Sequence, residues 1–193
     1  MRELVFFLEE PSAKAMLETL LPRMLDQSIT VRCVPFEGKQ DLEKQLTRKI
    51  RAYQNQRARF IVLRDQDSHP DCSAVKQRLL DLCEASGKAD HCLVRIACRE
   101  LETFYLADLA AVEQALTLKG LSGLQPSRKF KSPDQLGSPS RELKTLTKGA
   151  YEKVAGSRAI GRYLGVDNAR SPSFRNLIGA IRRMEDKLLL EAE

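Results

Sequence analysis

Asp65 and Asp67 stand one residue apart at the end of the apolar run Phe60-Ile61-Val62-Leu63. Two more acid pairs follow runs of the same kind: Glu9 and Glu10 after Leu4-Val5-Phe6-Phe7-Leu8, and Glu100 and Glu102 after Cys92-Leu93-Val94-Arg95-Ile96-Ala97. A short apolar run bounded by polar turn residues reads as a strand buried on both faces. Strands that run parallel end on one edge, and that edge is where open α/β sheets bind ligands. With the first and third strands as neighbours, four to six of these carboxylates share a cleft.

Like charges that close raise each other's pKa or require a cation. An oxygen-only ligand set selects a hard ion, Mg²⁺ or Mn²⁺, over zinc. His69 and His91 have no partners at zinc-ligand spacing. The candidate metal ligands are Glu9, Asp65, Asp67, Glu100 and Glu102, with Glu9 or Glu10 and Lys39 as candidate catalytic groups. Such an ion activates water and neutralises charge on a phosphate, which suits phosphodiester chemistry. Taken singly, each acid also reads as a turn or helix-capping residue. Glu100 and Glu102 read equally as first-turn residues complementing a helix dipole. The agreement of three strand ends favours the metal.

The elements that must position these groups alternate. Ile29–Phe36 reads as a further strand. Helical spacing appears over Ala13–Leu25, where Pro22 bends or ends the helix, and from Leu42 through Tyr53 with Asp41 as its N-cap. A third helix runs from Ser73 to Gly87, and a single helix is expected from Glu100 to Leu116. Strand and helix in alternation predict a parallel four-stranded sheet covered by helices on both faces, an α/β fold. Residues 1–118 form that domain. Residues 119–141, rich in Gly, Pro, Ser and Lys, form a loop that is mobile or draped over the surface. Residues 142–193 form a basic, mostly helical extension packed on the same domain, with helices at Glu142–Leu146, Arg158–Leu164 and Ser173–Leu190.

The chain has 193 residues, enough for one packed core, and its 42% hydrophobic and 30% charged residues are those of a globular protein. No apolar run is long enough to span a bilayer, and the N-terminus turns acidic too soon for a signal peptide. The five cysteines include no Cys-x-x-Cys pair, so free thiols in a reducing cytoplasm are expected. The net charge of +6 favours a polyanionic partner, nucleic acid first. Within the tail, Lys153, Ser157, Arg158, Arg162, Arg170, Ser173 and Arg175 are the candidate phosphate contacts. Gly156-Ser157-Arg158 and Ser171-Pro172-Ser173 read as helix starts that present amides and hydroxyls. Arg64 and Arg99 flank the acids and are candidates for the same role or for structural ion pairs. Lys39 either balances a phosphate or pairs with Glu37.

The segments Leu-Glu-Glu-Pro-Ser-Ala after the first strand, Val-Leu-Arg-Asp-Gln-Asp at the third and Arg-Ile-Ala-Cys-Arg-Glu-Leu-Glu-Thr-Phe-Tyr-Leu-Ala-Asp at the fourth resemble an uncharacterised bacterial Toprim-like family. Phe-Glu-Gly-Lys-Gln-Asp at 36–41 and Lys-Val-Ala-Gly-Ser-Arg-Ala-Ile-Gly at 153–161 extend the resemblance over most of the chain. Toprim is the catalytic domain of topoisomerases, primases and nucleases of the overcoming-lysogenization-defect type. The resemblance implies a Toprim-like, Rossmann-like fold and a Mg²⁺-dependent nuclease or nicking enzyme, with Glu9 as general acid/base or metal ligand and Asp65 and Asp67 as metal ligands. It also implies a setting in phage or mobile-element defence beside a separately encoded ATPase. Glu10 stands where the family's glycine is usual, and Ala13 where a second acid is expected; the choice between Glu9 and Glu10 stays open. The alternative is a catalytically inactive module of the same fold that binds nucleic acid or the ATPase.

Overall fold

The computed structural model describes residues 1–190. Four strands, β1 (Glu3–Leu8), β2 (Thr30–Pro35), β3 (Arg59–Asp65) and β4 (Cys92–Ala97), form a wholly parallel sheet in the order β2-β1-β3-β4. Helices α1 (Pro11–Leu20), α2 (Lys39–Arg51) and α3 (Cys72–Ala85) make the crossovers.

The unbroken apolar runs have a direct explanation in the pleat. Leu4, Phe6 and Leu8 of β1 face one core, while Val5 and Phe7 face the other. Ile61 and Leu63 of β3 join the first group, and Phe60 and Val62 the second. Alternate side chains point to opposite faces, so a strand covered on both sides must be apolar throughout. The second core is closed by Leu42, Leu46 and Ile50 of α2 and Leu79 and Cys83 of α3. The first is closed by Met16, Leu17 and Leu20 of α1 and by later helices: α4 (Glu102–Leu106), α5 (Leu109–Ala115), α6 (Pro139–Leu146), α7 (Lys153–Gly161) and α8 (Pro172–Leu190).

Strand order fixes the position of the cleft. The chain leaves β1 for β2 on one side and returns past β1 to β3 on the other. The order reverses between β1 and β3, and the crevice beyond the carboxyl ends of those two strands is the topological switch point. Glu9 and Asp65 lie there.

Two sequence expectations need correction. The helix expected from Glu100 to Leu116 is two helices. Asp108 breaks it: one carboxylate oxygen caps α5 by accepting from the Ala111 N–H at 3.2 Å, and the other accepts from the Gly165 N–H at 2.8 Å. The segment 119–141 lies along the surface, most of its residues exposed, and is anchored at intervals. Its Leu121, Phe130 and Pro133 are buried, and the Gln125 amide, itself buried, bonds Leu109 N, Leu106 O and Phe130 O. The helix expected to start near Arg158 starts at Lys153, which puts Gly156, Ser157 and Arg158 in its interior. Among the described residues no helix is long and apolar enough to cross a membrane, and all five cysteines are free thiols.

Candidate active site

Glu9 continues β1. Its N–H donates to Leu63 O at 3.2 Å and its carbonyl accepts from the Gly38 N–H at 3.0 Å, so its backbone is held by both neighbouring strands. Gly38 has φ +98°, a conformation that suits glycine, and this turn delivers Lys39 to the same edge. The Glu9 side chain folds over β3, where Oε2 accepts from the Asp65 N–H at 3.0 Å.

The β3–β4 ladder runs past both strands: Gln66 N–H donates to Ala97 O at 3.0 Å and Asp67 N–H to Arg99 O at 2.7 Å. Asp67 and Arg99 are both left-handed, with φ +57° and +64°. Asp tolerates that region; for Arg it costs about 1–2 kcal/mol. This paired kink turns the chain away from the sheet. It leaves the Asp67 carboxylate at the rim, 3.0 Å from Lys39 Nζ. Lys39 thus pairs with Asp67 and not with Glu37.

Glu102 opens α4 and is buried, with Tyr151 donating to its Oε1 at 2.9 Å. The Tyr151 hydroxyl also lies 3.2 Å from Ser157 Oγ. The Tyr105 hydroxyl is buried beside this group with no hydrogen bond of ordinary geometry. Close helix packing brings these residues in. A Cβ on Gly161 would stand 2.3 Å from Thr19 Oγ1 and 2.5 Å from Met16 O, and one on Gly156 would stand 2.5 Å from the Tyr151 ring. Glycine at 161 therefore lets α7 lie directly on α1, which places Lys153 against Glu10 in a close ion pair.

The acids feel one another. Burial raises the Glu9 pKa first, and Asp67 and Glu10 add to it against the Asp65 N–H and Arg64. Asp65 is raised well above the carboxylate range by burial, then by Glu9 and Glu102. Glu102 is raised by burial, with Tyr151 and Lys153 opposing. Burial works against the charge of Lys153, but Glu10, Glu102 and Asp65 outweigh it and hold the ammonium above its ordinary range. A cluster that resists its own ionisation is the electrostatic form of a cation site.

The donor set fits a hard divalent ion, being carboxylate oxygen throughout. Glu9 and Asp65 would hold such an ion, with Glu102 near Asp65 and Asp67 at the rim. Among the described residues no group of three His, Cys, Asp or Glu side chains stands where it could hold a metal ion. Mg²⁺ takes one or two protein carboxylates and completes its shell with water and phosphate, so an open half-shell is the form expected of its site.

Other candidates are turned elsewhere. Glu100 accepts from the Ser140 N–H at 2.6 Å and so caps α6. Arg64 is buried, paired closely with Glu43 and 3.8 Å from Glu9, and does not present its charge to solvent. Arg99 is half-buried and engaged through its backbone. Ser157 is fully buried inside α7, and Ser173 is buried with its N–H given to Asp134 at 2.9 Å; neither helix position is open to a phosphate. Arg158 is exposed but paired with Glu18 at 2.8 Å. Arg162, Arg170 and Arg175 are exposed. Tyr151, Glu43 and Arg78 were not singled out for the site from sequence. They reach it only through helix packing that no local spacing encodes.

A parallel sheet with acids at its switch point and helices on both faces defines an α/β protein of Toprim-like fold. The chain belongs to the family described as a domain of unknown function, DUF4276, whose model matches residues 8–182. Its structure is similar to the C-terminal region of the Burkholderia pseudomallei OLD protein, with 17% identity and a TM-score of 0.54 over 96% of this chain and 98% of that one. No curated protein matches the chain.

Proposed function

We propose that this protein is a Mg²⁺- or Mn²⁺-dependent nuclease or nicking enzyme that acts on nucleic acid phosphodiesters. One observation carries the reading: the Glu9 carboxylate, just past β1, accepts from the N–H of Asp65, the last residue of β3, at 3.0 Å across the switch point, and Glu102 of α4 lies near enough to raise the Asp65 pKa further. A bound divalent ion supplies an activated water and neutralises phosphate charge. Glu9 and Asp65 hold that ion. Lys153, fixed by Glu10, and Lys39, fixed by Asp67, stand on opposite flanks as counter-charges for the phosphate. The fold likeness to the OLD region supports the reading, and the resemblance in sequence extends it to a defence role beside a separately encoded ATPase.

Purified protein with Mg²⁺ or Mn²⁺ should nick or cut supercoiled plasmid, and the Asp65→Ala/Asp67→Ala double variant should not. Equal activity in the two contradicts the proposal.

A second reading has its own support. Glu10 is neutralised by Lys153 within the structure, so a catalytically silent module that binds nucleic acid or an ATPase would keep the same fold. Calorimetry separates the two: heat on titrating Mn²⁺ into the protein favours the enzyme, and its absence at millimolar ion favours the module.

A further inference from the structure

A groove of about 700 Å³ opens between α2 and α3, and its lining includes the cations Lys39, Arg64 and Arg78, the acids Glu43 and Asp81, and His69. Lys39 and Arg78 are exposed cations, with side chains 47% and 69% accessible. Each is held by an acid at the groove: Lys39 by Asp67 at 3.0 Å, and Arg78 by Glu43 at 2.5 Å. Glu43 pairs with the buried Arg64 on its other side. Arg64 is 8% accessible, and its Nε has no hydrogen-bond partner among the described residues.

The groove adjoins the acids through two shared residues. Arg64 stands between Glu9 and Glu43, and Lys39 between Asp67 and the groove. The volume falls in the range of small-ligand clefts, ~300–1,000 Å³. A nucleotide or two of a single strand fits within that volume. The cations of both pairs are open to solvent while their acids, Asp67 and Glu43, are 34% and 18% accessible, so a phosphate competes with these carboxylates for Lys39 and Arg78.

We infer that the α2–α3 groove binds the single-stranded segment flanking the phosphodiester at the acids, with Lys39 and Arg78 as its phosphate contacts. This rests on the proposed function and adds the path and form of the strand. The test is fluorescence anisotropy of a labelled single-stranded oligodeoxynucleotide in EDTA, over a series of salt concentrations. The protein should bind it. Lys39→Ala and Arg78→Ala should each weaken binding and flatten the slope of log affinity against log salt by ~0.7. Lys39→Arg and Arg78→Lys, which keep the charge, should retain the slope, and Lys187→Ala on the exposed face of α8 should change nothing. A double Lys39→Ala/Arg78→Ala variant with unaltered affinity and slope overturns the groove while leaving nuclease activity on plasmid as a separate, intact result. Equal weakening for a blunt duplex overturns the single-strand assignment. A protein that binds no nucleic acid under any of these conditions overturns both this inference and the function on which it rests.

Discussion

The Glu9 carboxylate accepts a hydrogen bond from the backbone N–H of Asp65 at 3.0 Å, so the acid that ends β1 is tied to the residue that ends β3. That bond crosses the switch point. It fixes one carboxylate by the main chain of the residue that bears the other, and it holds both although burial and mutual repulsion raise their pKa values.

Stability should therefore depend on pH in a defined sense. Glu9, Asp65 and Glu102 have folded pKa values above their unfolded ones. Between the two values the folded chain binds more protons than the unfolded chain. Their contribution is full below the unfolded values, about pH 4, and is lost as pH rises through the folded values. Urea denaturation of metal-free protein from acid to neutral pH should show Asp65→Asn with a flatter decline than the parent chain. The variant should be the more stable at neutral pH by ~1.4 kcal/mol for each pKa unit relieved. A parallel decline in the two proteins contradicts the assigned repulsion.

Tyr151→Phe removes the hydroxyl that serves buried Glu102. A hydrogen bond to a charged group contributes ~1.5–3 kcal/mol, so the variant should lose about that much by denaturant titration at neutral pH. The loss should be smaller in a Glu102→Gln background. Equal losses in both backgrounds contradict a Tyr151–Glu102 coupling.

Gly161→Ala places a methyl group against Met16 O, a backbone atom that cannot swing aside. Overpacking of this kind costs ~1–3 kcal/mol. It should also push α7 off α1 and separate Lys153 from Glu10. The expected outcome is a lower Tm, by about 2–4 °C per kcal/mol in a chain of this size, together with reduced plasmid cleavage. Gly179→Ala, on an open face of α8, should leave both unchanged.

The central strands β1 and β3 were legible because burial on both faces leaves an unmistakable apolar run, and the edge strand β4, half buried, still matches its expected limits, Cys92–Ala97, at both ends. The acids at the carboxyl edge were legible for the same reason, since a strand that must be apolar makes any polar terminus conspicuous. Other features were hidden because their causes are tertiary. Asp108 breaks a helix-favouring stretch by serving Gly165, far along the chain. Ser157 looks like a phosphate-binding hydroxyl until α7 is seen to begin at Lys153. Ser171-Pro172-Ser173 is a sound helix start, as read, but Asp134 already occupies it. Glu43 and Arg78 lay on helix faces where charge ordinarily means solvent, and only the packing of α2 beside α3 gives them a groove.

The central claim is that Glu9 and Asp65 hold a divalent ion at the β1–β3 switch point. A crystal soaked in Mn²⁺ and measured for anomalous scattering tests it most directly. The expected result is a peak within ~2.0–2.5 Å of carboxylate oxygens of Asp65 and Glu9, the range of oxygen-ligated divalent ions, absent from crystals of Asp65→Asn. Saturating Mn²⁺ with no peak at these residues, or a peak unmoved by the substitution, contradicts the account.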